Sequence, residues 1–379
     1  MTWPARPATA ALVGALLLAA SLVAFALWLS RASVREAPHE RVAGSDEPPA
    51  PRVAPELESL DAGALAEAAR YAGEHGSQAL IVSRHDHIVF ERYWHGTGFD
   101  TPCDAQSFTP LLAALAVGVA ISHRRIGWPD EPIGALIGEW RNDPRGAITI
   151  RNLLQSSSGL APAAASWHSG RDLIASVLDA RLAAPPGTIR QQQPTDAQLL
   201  ALALERATGM RYASYLSEAL WRRIRAGDAW LRLDRPGGTA HADCCMRARQ
   251  GDWIRIGQLL VRDGNYRGDE VIRPGWVALL RAPGRADPRY GAFVRLSGPA
   301  PGAETPIARD LFAVSGEGGN RLWVVPSLEL AIVRIAAADD ASFDEGRIPN
   351  LVVRGARDYR PPAAPPGVDV SALVPRHQP

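Results

Sequence analysis

Ser107 is the residue of this chain with the clearest potential for nucleophilic chemistry, because it stands at the start of a long apolar run, residues 107–121. A serine hydroxyl is a weak nucleophile at neutral pH and needs a general base within hydrogen-bond reach. On the first turn of a helix, a base three residues further along shares the face of the serine. That position is Pro110, which has no titratable group.

The chain contains no lysine, since all 41 of its basic residues are arginine. A buried lysine acts as a base because desolvation lowers its pKa, whereas arginine keeps its proton in proteins. On these residues alone, Ser107 is interpreted as a helix N-cap. Pro110 then lies in the first turn, where its missing N–H loses no hydrogen bond.

Length and composition predict a globular protein that does not bind nucleic acid. The chain has 379 residues, 46% of them hydrophobic, which is enough to form a substantial core. Its 40 acidic residues nearly balance the arginines, leaving a net charge of +1. The arginines are spread along the chain, a distribution typical of solvated surfaces rather than of a nucleic-acid interface.

The N-terminal segment predicts either a membrane-spanning helix or a signal peptide. Residues 8–29 are apolar and uncharged, about the 20 residues that a helix needs to cross the hydrocarbon core. We therefore expect a single-pass anchor in the inner membrane, with the folded domain in the periplasm. A cleaved signal peptide remains open, because residues 24–26 form a small-x-small site and would leave a secreted protein.

The folded domain is predicted over residues 56–358, between a Pro-rich tether at 31–55 and a Pro-rich tail at 359–379. Within it, Asp61 is a plausible cap for a helix through residue 73. Residues 78–83 and 88–94 are strand-like runs joined by a polar turn, which predicts a hairpin.

His85 and His87 lie in that turn. With no third ligand nearby in the sequence, they are interpreted as surface residues. No cofactor or metal site is predicted. Cys244 and Cys245 are adjacent and Cys103 is distant, so we expect no structural disulfide and interpret all three as small buried hydrophobic residues.

Longer motifs resemble the β-lactamase-related serine hydrolases, the superfamily of penicillin-binding proteins and class C β-lactamases. Residues 148–160 resemble a loop of that family, and further matching segments follow in order as far as residues 316–326. The runs at 244–246 and 318–320 are most similar to the aminohexanoate-dimer hydrolase branch. The resemblance covers roughly residues 79–353. It implies an α+β fold, with an antiparallel sheet flanked by helices and a mostly helical subdomain.

The resemblance also implies the positions of the site. Ser107 takes the place of the family's nucleophile, and Gly118 stands at the family's spacing from it. The family's lysine falls on Pro110, and the tyrosine of its second motif falls on Gln192. Both titratable partners of the serine are therefore replaced.

The third motif of the family falls on Glu317, Gly318 and Gly319, where only glycine survives. Backbone amides there and at Ser107 are expected to form an oxyanion pocket. The sequence thus predicts a catalytically degenerate relative that binds a small amide, ester or peptide in the old cleft. The alternative is an active amide or ester hydrolase in which Glu317 or His123 replaces the base.

Overall fold

The computed structural model describes residues 37–164, 167–168, 172–298, 302–315 and 317–360. The predicted anchor at residues 8–29 lies outside these ranges, as does the tail beyond residue 360. Among the described residues, none of the helices combines the length and the apolar character needed to cross a membrane.

The described residues form an α+β fold. The helices are α1 Ala62–Glu74, α2 Thr109–Ser122, α3 Ile150–Leu154, α4 Leu173–Leu178, α5 Pro194–Thr208, α6 Tyr212–Leu216, α7 Asp252–Val261, α8 Trp276–Leu280 and α9 Arg347–Arg354. The strands are β1 His39–Val42, β2 Ser77–Arg84, β3 His87–Tyr93, β4 Pro102–Asp104, β5 Ala229–Arg232, β6 Met246–Arg249, β7 Asn265–Tyr266, β8 Asp269–Glu270, β9 Phe312–Ser315, β10 Arg321–Val325 and β11 Leu330–Ala336.

The main sheet has the strand order β3-β2-β11-β10-β9, and every neighbouring pair is antiparallel. The predicted hairpin is confirmed as β2 and β3. Its turn residues His85 and Asp86 both have positive φ, 47° and 65°, as a tight two-residue turn requires. The predicted helix is also confirmed, because the Asp61 carboxylate accepts a hydrogen bond from the Ala64 amide at 2.9 Å.

Alternate residues of the sheet enter two separate hydrophobic clusters. Leu80 and Val82 of β2 pack in a cluster with α1 and α9, whereas Ala79 and Ile81 pack in the larger cluster that contains α2 and α7. This alternation follows from the two-residue period of a strand. The sheet therefore lies between two layers of helices, and α2 belongs to the larger layer.

A second sheet, with the order β1-β5-β6-β4, was not predicted. Its strand β1 pairs with β5, so the folded part begins before the predicted boundary at Glu56. The sequence of β1 is mostly polar because it is an edge strand that buries only Val42. Glu40 is held on the outside by Arg211, whose Nε and Nη2 each donate to its carboxylate at 2.6 Å.

Candidate active site

The start of α2 carries Ser107. The chain leaves β4 through a 3₁₀ turn, Gln106–Phe108, and continues directly into α2 at Thr109. Pro110 is the second residue of α2, so the prediction that Pro110 lies in the first turn of a helix is confirmed. The N-cap interpretation of Ser107 is wrong, because the 3₁₀ turn shifts the N-cap position to Phe108.

After its first turn, α2 is buried along nearly its whole length. Its residues 110–121 are all apolar, and Leu111 to Ala120 are buried. Gly118 allows close packing, since a Cβ there would lie 2.4 Å from Nε1 of Trp276. The same indole donates a hydrogen bond to the Ala114 carbonyl at 3.1 Å. Apolar packing therefore fixes the position of Ser107 independently of any chemistry.

The structure brings the third motif next to Ser107. Residues Glu317–Gly319 form a 3₁₀ turn in which Gly318 has φ 82°, and a Cβ on Gly318 would lie 2.6 Å from the Gln106 side-chain oxygen. Asn320 donates from Nδ2 to the Asp104 carbonyl at 3.0 Å. The turn is thus fastened to the residues that lead into Ser107.

The amides of this turn are partly engaged. The Gly318 N–H donates to the Asp339 carboxylate at 2.7 Å, so this amide is not free to stabilise an oxyanion. The Gly319 carbonyl accepts from Nη1 of Arg334 at 2.6 Å, and the same guanidinium donates to Ser77 Oγ at 2.7 Å. Burial lowers the pKa of Arg334 to about 10, which leaves it charged at neutral pH.

Hydrogen bonds on both sides of Gln192 hold the segment where the second motif is predicted. The Gln191 amide donates to the Ser156 carbonyl at 2.7 Å, and the buried Gln193 donates from Nε2 to the Leu160 carbonyl at 3.3 Å. Between them, Gln192 is exposed, and its side-chain oxygen lies 3.5 Å from Nη2 of Arg190. The neutral amide of Gln192 supplies no base.

A buried carboxyl, Asp196, anchors this region from within α5. Ser158 Oγ donates to Asp196 Oδ1 at 2.6 Å, while Oδ2 has no hydrogen-bond partner among the described residues. Burial raises the pKa of Asp196 to about 7. Because Ser158 and Asp196 are both buried, this pair fixes the loop at residues 156–158 on α5 and is closed to a substrate.

The two replacement bases suggested by the sequence differ sharply in position. His123 is the C-cap of α2, and a helix of fourteen residues is about 21 Å long, so His123 lies at the wrong end for Ser107. Glu317 belongs to the turn that contacts Gln106. Of the two, only Glu317 is near the candidate nucleophile.

The cysteine prediction is correct for Cys103, which is buried and free, and wrong for the other two. Cys244 and Cys245 are half-buried and form a disulfide with each other. The chain turns here, with Cys245 at φ 69°, and this turn brings the adjacent sulfurs together.

The disulfide stands beside a set of polar residues that sequence reasoning missed. Asp243 receives hydrogen bonds from Nε2 of His168 and Nδ1 of His241, each at 2.9 Å. The spacing of His241, Asp243 and Cys244 was a visible signal, but His168 is remote in sequence and gave none. We refer to His168, His241, Asp243 and Cys244 as the Asp243 cluster.

Hydrogen bonds of Met246 bring the Asp243 cluster close to the start of α2. The Met246 carbonyl accepts from the Ala105 amide at 2.9 Å, and the Met246 amide donates to Thr109 Oγ1 at 3.4 Å. On the other side, Gln198 of α5 donates to the Ala240 carbonyl at 2.9 Å. The segment 240–246 therefore connects α5, which follows Gln192, with the first turn of α2.

A serine in the turn that leads into a buried helix, beside an antiparallel sheet, is the arrangement of the β-lactamase and penicillin-binding protein class. The β-lactamase family profile matches residues 64–352. This range is most of the chain, so the protein belongs to the β-lactamase family.

Individual relatives agree with this assignment. The chain is 25% identical over 294 residues to the 6-aminohexanoate-dimer hydrolase of Paenarthrobacter ureafaciens, covering 70% of this chain and 73% of that protein. A putative 6-aminohexanoate-dimer hydrolase from Bacillus anthracis superposes with a TM-score of 0.67 at 18% identity, covering 84% and 89% of the two chains. A penicillin-binding protein homologue from Caulobacter crescentus gives a TM-score of 0.62 at 16% identity, covering 77% and 97%. The two structures support the fold.

Proposed function

We propose that this protein has lost the hydrolytic turnover of its family and binds a small amide, ester or peptide in the cleft beside Ser107. One observation carries the proposal. The position that would hold the base, three residues after Ser107 on the first turn of α2, is Pro110, and the chain has no lysine to replace it.

The size of the expected loss supports a binding role over slow catalysis. Removing a serine and base unit costs about 10⁶ in turnover and leaves roughly 10³ to 10⁴ over water from oxyanion stabilisation and binding. Here the Gly318 amide donates to Asp339, so oxyanion stabilisation by the backbone is also reduced. A site with little capacity for proton transfer is suited to binding rather than to turnover.

A second candidate function is an active amide or ester hydrolase with Glu317 as the base. The contact between Gly318 and Gln106 favours it, since this contact brings the turn that contains Glu317 next to Ser107. A carboxylate needs a raised pKa to work well as a base near neutral pH. This alternative requires that Ser107 can be acylated.

Acylation of Ser107 separates the two functions. Purified protein is incubated with a fluorophosphonate or with a penicillin, and its intact mass is measured beside that of Ser107→Ala. We expect no adduct in either protein. An adduct on the unmodified protein that is absent from Ser107→Ala would contradict the proposal and favour the hydrolase.

Binding is tested separately with the linear dimer of 6-aminohexanoate and with a penicillin as probes. A ligand that binds only the folded state raises the melting temperature. We expect one of these probes to stabilise the unmodified protein and to stabilise Gln192→Ala less. If neither probe changed the melting temperature, the proposed ligand class would be wrong.

A further inference from the structure

The Asp243 cluster has the geometry of a metal site. Each of its four residues offers one ligand atom, and these atoms all lie within 4.8 Å of one another. His168 Nε2 is 2.9 Å from Asp243 Oδ2 and 3.6 Å from Cys244 Sγ. Ligand atoms placed about 2.0–2.3 Å from a tetrahedral zinc ion are roughly 3.2–3.8 Å apart, so small movements would accommodate an ion.

The cluster is held in place from several directions. The side chains of Asp243 and His241 are only 3% and 2% exposed. Trp167 donates from its indole to Asp243 Oδ2 at 3.1 Å, and Nη2 of Arg232 donates to the His168 carbonyl at 3.0 Å. Partners of this kind orient the ligands of a metal and keep them in place before it binds.

The donor set selects the class of ion. Two imidazoles, a carboxylate and a thiolate suit a borderline-soft divalent ion with tetrahedral preference. Calcium and magnesium are excluded, since both prefer sites composed of oxygen ligands. Zinc is the class of ion that this set fits best.

Cys244 can serve as a ligand only when it is not paired with Cys245. We propose that the reduced protein binds one zinc-class divalent ion through His168, His241, Asp243 and Cys244, and that the Cys244–Cys245 disulfide removes the fourth ligand. The disulfide and the ion thus compete for the same sulfur. This proposal does not depend on whether Ser107 is reactive.

The chemistry of the reduced state balances with a phosphine as reductant. A trialkylphosphine breaks the S–S bond, and phosphorus is oxidised to the phosphine oxide with oxygen from water. The two sulfurs are reduced and take up the two protons of that water as thiols. The Cys244 thiol then loses its proton to solvent when the ion binds, and the oxidation state of the metal does not change.

Cobalt(II) is the probe, because its visible spectrum reports tetrahedral coordination and its near-ultraviolet charge-transfer band reports a thiolate ligand. The full chain is reduced with a trialkylphosphine and titrated with cobalt, then with zinc in competition. We expect one equivalent to bind, with both spectral features. The oxidised protein should bind at least about tenfold more weakly and lack the charge-transfer band.

Two matched cysteine variants sharpen the test. Cys245→Ser leaves Cys244 as a free thiol, so it should bind cobalt with the charge-transfer band even without reductant. Cys244→Ser should lack that band under all conditions. Because each variant changes one sulfur of the same pair, a difference between them assigns the ligand to Cys244.

Histidine variants provide the second comparison. His168 is half exposed, so His168→Ala removes a ligand at the surface and should weaken binding at least about tenfold. The control is His85→Ala, because His85 and His87 share the carboxylate of Glu58 at 2.5 and 2.6 Å without a thiol beside them. The control should bind cobalt as the unmodified protein does.

Three results would overturn the proposal. The first is failure of the reduced protein to bind one equivalent of cobalt or zinc. The second is equal affinity in the reduced and oxidised states, and the third is a charge-transfer band that survives Cys244→Ser. In each case the histidines and Trp167 would serve only as hydrogen-bond donors to the buried carboxylate of Asp243.

Discussion

The start of α2 and the Asp243 cluster lie close together but differ in the side chains that could do chemistry. The start of α2 is set by a buried apolar helix, and the positions where the resemblance to the family places the titratable partners of Ser107 hold Pro110 and Gln192. The Asp243 cluster holds four metal-ligating side chains within 4.8 Å. A fold depends on many buried apolar contacts, whereas the chemistry of a site depends on a few side chains that can change without unfolding the protein.

The largest expected effect comes from returning partners to Ser107. Pro110→Lys with Gln192→Tyr should raise the rate of Ser107 modification by a fluorophosphonate to at least roughly tenfold above the detection limit, which the unmodified protein is not expected to reach. This gain is a small part of the about 10⁶ that such a unit supplies. Each change alone should do less than the pair, because these residues act together. Intact mass against time gives the rate for all four proteins.

The control for this experiment is the same pair of changes in Ser107→Ala. If the double variant reacted as slowly as the unmodified protein, the backbone at this site would not retain the family geometry. Equal modification in the Ser107→Ala background would mean that the probe labels another residue.

The second prediction concerns the stability of the turn that contains Gly319. This residue has φ 74°, and an added Cβ would lie 2.6 Å from the Ala338 carbonyl oxygen. Gly319→Ala should therefore cost about 1–3 kcal/mol more in unfolding free energy than Gly76→Ala. Gly76 is the matched control, because it has φ 68° and open space around its Cβ position. Urea unfolding at one pH measures both, and equal costs would show that the turn near Ser107 yields easily.

A smaller effect is expected in the pH dependence of stability. Asp196 keeps its proton in the folded protein up to a pKa of about 7, whereas an unfolded aspartate has a pKa of about 3.9. Between these values unfolding releases a proton, so the free energy of unfolding falls as pH rises and levels off above about pH 7. Asp196→Asn should remove this fall.

Urea unfolding at about pH 5 and about pH 8 brackets that interval. Glu218→Gln, which changes an exposed carboxylate, is the control and should keep the slope of the unmodified protein. Parallel pH profiles for the unmodified protein and Asp196→Asn would contradict the buried, protonated state of Asp196.

Local patterns predicted much of the fold. The hairpin of β2 and β3, the cap at Asp61 and the helix that starts near Ser107 all follow from residues close in sequence. The strand β1 could not be predicted in this way, because three of its four residues are polar and its partner β5 lies about half the chain away. Edge strands carry little of the hydrophobic alternation on which such predictions depend.

The candidate site shows the same limit of prediction from local sequence. Motif order predicts a site at Ser107, Pro110 and Gln192, but it gives no indication that Asp339 engages the Gly318 amide. The Asp243 cluster depends on His168, which lies 75 residues from Asp243 in sequence. Only the tertiary structure brings His168 to Asp243, so the sequence gave no signal for this contact.

Turnover of an ester and of the 6-aminohexanoate dimer, compared between the unmodified protein and Ser107→Ala, tests the central claim most directly. If the fold is retained without its hydrolytic chemistry, both proteins will release product at the rate of buffer alone. Turnover by the unmodified protein that Ser107→Ala abolishes would contradict the claim, and Glu317 would then be the first base to examine.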